Sequence, residues 1–285
     1  MGRRLLLNLL LVAMAIGLAL FIYLQPGKTP DAGPDAISRL DPETVSSIRL
    51  TRLQAEPIEF SKRDGRWFIQ AEPELPADDF QINTLLALAT AATDRHYPAG
   101  TLDLESMGLL PPQATVELGP DRFEVGGTDP IDKRRYVLNG TTVYLVPDRF
   151  QHLLNARYSN FVERRLLPAG AVVTALSLPE LSLTLDEENH WRLQPEDPAV
   201  SATAIRTLVS TWENARALYV REYDGDSGQA IELRLQGSDQ PLELMLLDGE
   251  TDIILARPDR GIQYHLPAEA ARVLLELPDA SNEEP

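Results

Sequence analysis

Apolar positions along the chain fall into three regimes. From Leu5 to Leu24 they are continuous, with Asn8 the one polar member. From Gln25 to Asp41 they give way to Pro, Gly and Asp. Beyond Asp41 they alternate with polar residues at a period of two, interrupted by short stretches at helical spacing. Alternation predicts strands with one wet face, paired antiparallel.

The alternating segments come in two series. Ile48/Leu50 with Ile58/Phe60 predict a hairpin before Trp67-Phe68-Ile69-Gln70; Leu176/Leu178 with Leu183/Leu185 do the same before Trp191-Arg192-Leu193-Gln194. Asp64-Gly65 and Glu188-Asn189 suit the connecting turns. A helix follows each Trp strand, with Ile82, Leu85, Leu86, Ala89 and Ala92 in the first series and Ile205, Leu208, Val209, Trp212 and Ala215 in the second. Asp78 or Asp79, and Ser201, are the N-cap candidates. Later strands match as Thr115–Leu118 with Ala230–Leu233, Phe123–Val125 with Leu242–Leu244, Tyr136–Leu138 with Ile253–Leu255, and Val143–Pro147 with Gln263–Pro267. Short helices around Leu153 and Val273 close the two series. A large aromatic repeated at one position of a duplicated unit is a core position, so Trp67 and Trp191 are both expected to be buried.

The expected fold class is therefore α+β: an N-terminal transmembrane helix, then two tandem, duplicated α+β units with antiparallel sheets, helices covering one face of each. The expected division is an anchor over 1–24, a Pro/Gly-rich linker over 25–41, a first unit over 42–167, a second over 168–278 and an acidic tail over 279–285.

The Leu5–Leu24 run, at about 1.5 Å per residue, matches the roughly 30 Å of a bilayer's hydrocarbon core. A cleaved signal peptide has a shorter apolar region, and the cleavage-like Ala13-Met14-Ala15 lies inside the run. Residues 5–24 are read as an uncleaved membrane anchor. Arg3 and Arg4 keep the N-terminus cytoplasmic and place the rest in the periplasm, as in a single-pass inner-membrane protein.

Charge and composition narrow the chemistry. A net charge of −17 argues against nucleic acid as a partner. The absence of Cys excludes disulfides, thiolate metal sites and Cys nucleophiles. Residues 42–167 carry 14 basic and 18 acidic residues, and 168–278 carry 8 and 19, so the acidity sits in the second unit. His96, His152, His190 and His265 lack metal-ligand spacing. Asp224-Gly225-Asp226-Ser227-Gly228 offers alternate carboxylates for Ca²⁺ but lacks the remaining ligands of an EF-hand loop, and reads as a solvated loop. Asp186-Glu187-Glu188 reads as a wet turn, and Gly126-Gly127 is too little for a phosphate cradle. Arg134 and Arg135 could contact an acidic partner or lipid headgroups, but in a unit of net negative charge they read as a solvated strand end. No catalytic, cofactor-binding or metal-binding residue is assigned, and no cofactor is expected.

Leu104-Glu105-Ser106-Met107-Gly108-Leu109, followed by Pro112, Val116 and Leu118, then Val125-Gly126, Tyr136-Val137 and Val143–Val146, resembles the domain-of-unknown-function family 4340. The resemblance covers about residues 44–155 well and the second series more loosely; Phe161–Pro168 resembles the family's link into its second half. It implies a membrane-anchored envelope protein, in some cases encoded near ABC-transporter permeases and gliding-motility-type auxiliary proteins, with no catalytic residues to carry over. The expected function is a non-enzymatic periplasmic scaffold with an envelope protein partner such as an ABC permease. The alternatives are a glycan- or small-ligand-binding module using the cleft between the units, and an acid-pair hydrolase.

Overall fold

The computed structural model describes residues 35–247, 249 and 252–278. The expected anchor, most of the linker and the acidic tail lie outside the described residues. Among those described, no helix is long and apolar enough to cross a membrane.

The first half of the chain runs β1 (Asp35–Ala36), β2 (Ser47–Arg52), β3 (Ala55–Arg63), β4 (Arg66–Ile69), β5 (Leu75–Pro76), α1 (Asp79–Leu86), β6 (Ala92–Thr93), β7 (His96–Pro98), β8 (Ala114–Leu118), β9 (Asp121–Thr128), β10 (Arg134–Asn139), β11 (Thr142–Pro147) and α2 (Gln151–Leu154). The second half runs β12 (Val173–Ser177), β13 (Ser182–Leu185), β14 (Trp191–Gln194), α3 (Ala202–Asn214), β15 (Tyr219–Glu222), β16 (Gln229–Leu235), β17 (Leu242–Leu247), β18 (Asp252–Arg257), β19 (Ile262–Pro267) and α4 (Glu269–Leu275). Nine strands form one antiparallel sheet in the order β5-β4-β3-β2-β8-β9-β10-β11-β7. Eight form a second in the order β14-β13-β12-β16-β17-β18-β19-β15. Apart from β5, the two orders correspond strand for strand.

This overturns the α+β expectation. Among the described residues strand outweighs helix by 42% to 19%, and the architecture is two antiparallel sheets rather than sheets layered under helices. The physical reason lies in the helices. α1 stops at Leu86, because the amides of Leu88 and Ala89 bond to carbonyls only three residues back, at Leu85 and Leu86, which tightens the chain out of the α-helix. Ala92, expected on the helix, lies in β6. α2 and α4 have four and seven residues. Among the described residues only α3 is a substantial amphipathic helix: Ser201 caps it by accepting from Ala204 N at 3.0 Å, and Ile205, Leu208, Val209 and Trp212 are buried along one face.

One contiguous cluster of buried side chains runs through both halves, from Ile37 to Leu274. Trp67 is buried and Trp212 fully so, its indole N–H donating to Leu274 O at 2.8 Å. Trp191 is only partly buried, contrary to expectation. β4, which carries Trp67, has β5 alongside it, whereas β14 ends its sheet among the described residues.

The segment between the sheets joins them. Val162 pairs with Ala77, just past β5, and Arg165 pairs with Arg216, just past α3. The second contact repeats the first sheet's opening: Ala36 pairs with Ala92, and Ile37 N donates to Ala91 O, just as Leu166 N donates to Ala215 O.

Candidate functional site: an apolar pocket on the first sheet

Val143 and Leu145 are buried, yet they point away from the shared core, to which Tyr144 and Val146 contribute. Successive strand residues face opposite sides, so a run of apolar residues with both parities buried requires cover on both faces. The second cover is the long connection between β7 and β8. It folds back over the outer face of the sheet and leaves a cavity of about 510 Å³, with Leu102 and Met107 as one wall and Tyr97 and Tyr136 as another.

The backbone explains how that connection sits so close. Gly108 takes a φ of +65°, a left-handed conformation that turns the chain. Gly127 N donates to Met107 O at 2.7 Å, and a Cβ on Gly126 would lie only 2.6 Å from the same oxygen. Leu109 is buried by this approach. Gly126-Gly127 is thus the seat of the Met107–Leu109 turn. Behind it, Arg135 donates to Gly126 O at 2.8 Å and to Asp148 through two nitrogens, at 3.0 and 2.6 Å. Arg135 is 3% exposed, so it is a buried brace and not the open cation expected from the strand end.

The mouth of the pocket is the turn between β9 and β10, where Ile131 is 85% exposed. Asp129 fixes that turn, accepting from Asp132 N at 2.7 Å, Ile131 N at 3.1 Å and the Tyr136 hydroxyl at 2.9 Å. Those bonds, the Asp132 amide foremost, hold the Asp129 carboxyl below its ordinary range. Asp132 pairs with Arg95, and Arg134 with Asp94 at 2.7 Å. The pocket has an apolar floor and a rim whose charges are paired; it is suited to an apolar side chain rather than to acid–base chemistry.

The other sequence candidates are dispersed. His96, His152 and His190 are exposed. His265 is buried, with Nδ1 2.6 Å from Asp252 and Nε2 3.0 Å from the Gln263 amide, and it stacks on Tyr219 at 4.5 Å. Both ring nitrogens are engaged, and the bond to His265 lowers the Asp252 carboxyl below its usual value. Asp224 and Asp226 lie in an exposed loop, and the described residues contain no group of three or more His, Asp or Glu placed for a metal ion. Asp186 closes its turn by accepting from Glu188 N at 3.0 Å and His190 N at 2.9 Å, while Glu187 and Glu188 are exposed.

A second, more polar groove follows the seam between the sheets. One part of it, about 640 Å³, is lined by Arg157, Ser159, Asn160, Tyr219, Arg221 and Glu222. Nearby, Arg164 donates to the buried Asp78, which also caps α1 through Phe80 N at 3.0 Å.

Tyr97 and Ile131 carry no sequence signal of a site, and Val143 and Leu145 enter the sequence reading only as strand and family-resemblance positions. The signal was present in Val143-Tyr144-Leu145-Val146, an unbroken apolar run among alternating strands.

The chain belongs to the DUF4340 family, described as a domain of unknown function, whose model matches residues 67–234. The match takes in the Met107–Leu109 turn, Gly126-Gly127 and the pocket they build. No curated protein and no solved structure matches the chain.

Proposed function

We propose that this chain is a non-enzymatic interaction protein, attached to the inner membrane through residues 5–24, with its sheets in the periplasm and a partner protein docked in the pocket of the first sheet. An accessory subunit of an ABC-type transport or envelope-assembly complex fits this reading. The observation that carries it is the open apolar pocket, with Val143 and Leu145 as its floor and the family's Met107–Leu109 turn as its wall. An apolar cavity of this size, rimmed by fixed charges, is the shape that receives a side-chain anchor.

Full-length protein extracted from membranes in mild detergent tests the reading. The expected result is stoichiometric recovery of a permease identified by mass spectrometry, and its loss when Tyr97→Arg fills the pocket wall with charge. Recovery of the chain alone overturns the scaffold reading. Undiminished partner recovery by the variant overturns the pocket.

The polar seam groove favours a second reading, a glycan or small-ligand site. A ligand bound only by the folded state raises the melting temperature. A panel of envelope glycans that leaves it unmoved removes this alternative.

A further inference from the structure

Three strongly exposed aliphatic side chains lie at one end of the first sheet: Leu53 at 60%, Leu110 at 64% and Ile131 at 85% exposure. The antiparallel register puts them there. Arg52 pairs with Ala114 and Ala114 with Val125, so the β2–β3 turn, the approach to β8 and the β9–β10 turn all fall on the same side. They are convex tips on separate turns rather than parts of one concave surface.

The described chain begins beside β11 and runs away from that end: Ala36 shares a groove with Thr142 and Tyr144, and Ile37 O accepts from Asn139 at 3.0 Å, so Asp35 is the residue of β1 nearer the tips. Asp35 lies opposite Thr93. Thr93 Oγ1 donates to Leu145 O at 2.6 Å, and the next two residues, Asp94 and Arg95, pair with Arg134 and Asp132 of the Ile131 turn. Only Gln25–Pro34 separates Asp35 from the apolar run ending at Leu24, ten residues that reach at most about 35 Å when fully extended.

We propose that the tips carrying Leu110 and Ile131, with Leu53 beside them, rest in the interface of the lipid bilayer and orient the first sheet with this end toward the membrane. The proposal rests on the membrane attachment through residues 5–24 given above. Charge is compatible with it at the Ile131 turn. Lys133 is exposed beside Ile131, which suits anionic headgroups; Asp94 and Asp132 are paired with Arg134 and Arg95, and the Asp129 carboxylate is turned into the loop by the amides of Ile131 and Asp132 and the Tyr136 hydroxyl. Leu53 shares its groove with Glu56 and Glu222, so the contact centres on Leu110 and Ile131.

The absence of native Cys makes the test direct. Single cysteines are placed in the full-length chain at 110 and 131, at Thr141 on the opposite end of the sheet, at Glu188 in the second half and at Ala19. Each is labelled with an environment-sensitive fluorophore, and the protein is reconstituted in phosphatidylethanolamine–phosphatidylglycerol vesicles containing nitroxide lipids. The expected result is a blue shift and loss of emission at 110 and 131, with 141 and 188 unaffected. Labels at 110 and 131 as bright as the one at 141, with Ala19 quenched, overturn the proposal while leaving the attachment intact. Quenching at 110 and 131 with Ala19 unquenched supports the tips and overturns the attachment; no quenching anywhere overturns both. Burial of the 131 label only on adding membrane proteins assigns the tip to a protein interface and likewise overturns the proposal. Ile131→Asp, which keeps the Asp129 clamp, should lose the blue shift at a label on 110.

Discussion

Arg135 and Asp148 form a doubly hydrogen-bonded ion pair at the place where the second sheet carries Ile253: Arg135 lies opposite Val146, as Ile253 lies opposite Leu266. Their side chains are 3% and 12% exposed. Removing one partner from such a pair strands a buried charge, whereas replacing both removes the desolvation cost with the attraction. Asp148→Ala should therefore destabilise the protein by about 3–5 kcal/mol, and Arg135→Met with Asp148→Leu should cost far less. Urea unfolding of the single and double variants measures the difference. Equal losses would mean that Arg135 also stabilises through its bond to Gly126, which the double variant removes and Asp148→Ala leaves.

The three tryptophans should separate by burial. Trp67→Ala and Trp212→Ala should each cost about 3–5 kcal/mol, the range for a large aromatic removed from a packed core. Trp191→Ala should cost about 1–2 kcal/mol, since part of its surface is already in water. The check is denaturant midpoint at constant slope. A Trp191 variant as damaged as the Trp67 variant would show that β14 is covered in solution.

Gly126→Ala should loosen the pocket. Its Cβ meets Met107 O at 2.6 Å and Leu109 Cγ at 2.9 Å, neither of which can move without lifting the turn. Overpacking of this kind costs about 1–3 kcal/mol. Hydrogen exchange at the Gly127 amide, which bonds to Met107, should accelerate more than exchange in the second sheet. Uniform acceleration would place the damage in the common core instead.

Acid should destabilise the fold through a few carboxylates. Asp186, held by the amide of His190, and Asp129, held by that of Asp132, lie below their ordinary values; so do Asp94 beside Arg134 and Asp252 beside His265. A carboxyl whose folded value is depressed gives stability that is complete above its unfolded value, near 3.9 for a model Asp, and lost as pH falls through the folded one. Through these groups the melting temperature should change little between about pH 7 and 5 and fall below about pH 4. Asp186→Asn should flatten that fall. A melting temperature that rises below pH 4 would contradict it.

Much of the strand pattern was legible because alternation is local. Ile48, Leu50, Ile58 and Phe60 are buried as their spacing implied. The matching of later strands was harder. Tyr136–Leu138 was set against Ile253–Leu255, but Val137 lies opposite Tyr144 as Leu255 lies opposite Tyr264, a slip of one. Phe123 lies opposite Val116 as Leu244 lies opposite Ile231, so Phe123 corresponds to Leu244 rather than Leu242. Aliphatic triads match equally well in several registers; only their cross-strand partners decide. Arg135 could not be placed from its own strand, since its burial depends on Asp148, 13 positions on. The pocket was hidden for a similar reason: its wall is a loop, and nothing in the spacing of a loop says which face it will cover.

The stretch from Val162 to Leu166 is used twice. It first lines the edge beside Ala77, and a few residues later it meets Ala215 and Arg216. During synthesis the first sheet can therefore close as soon as this stretch emerges, while its far end waits for a partner some 50 residues behind it. The polypeptide is fastened in the order in which it is made. A break anywhere in those few residues would undo the clasp for both halves at once.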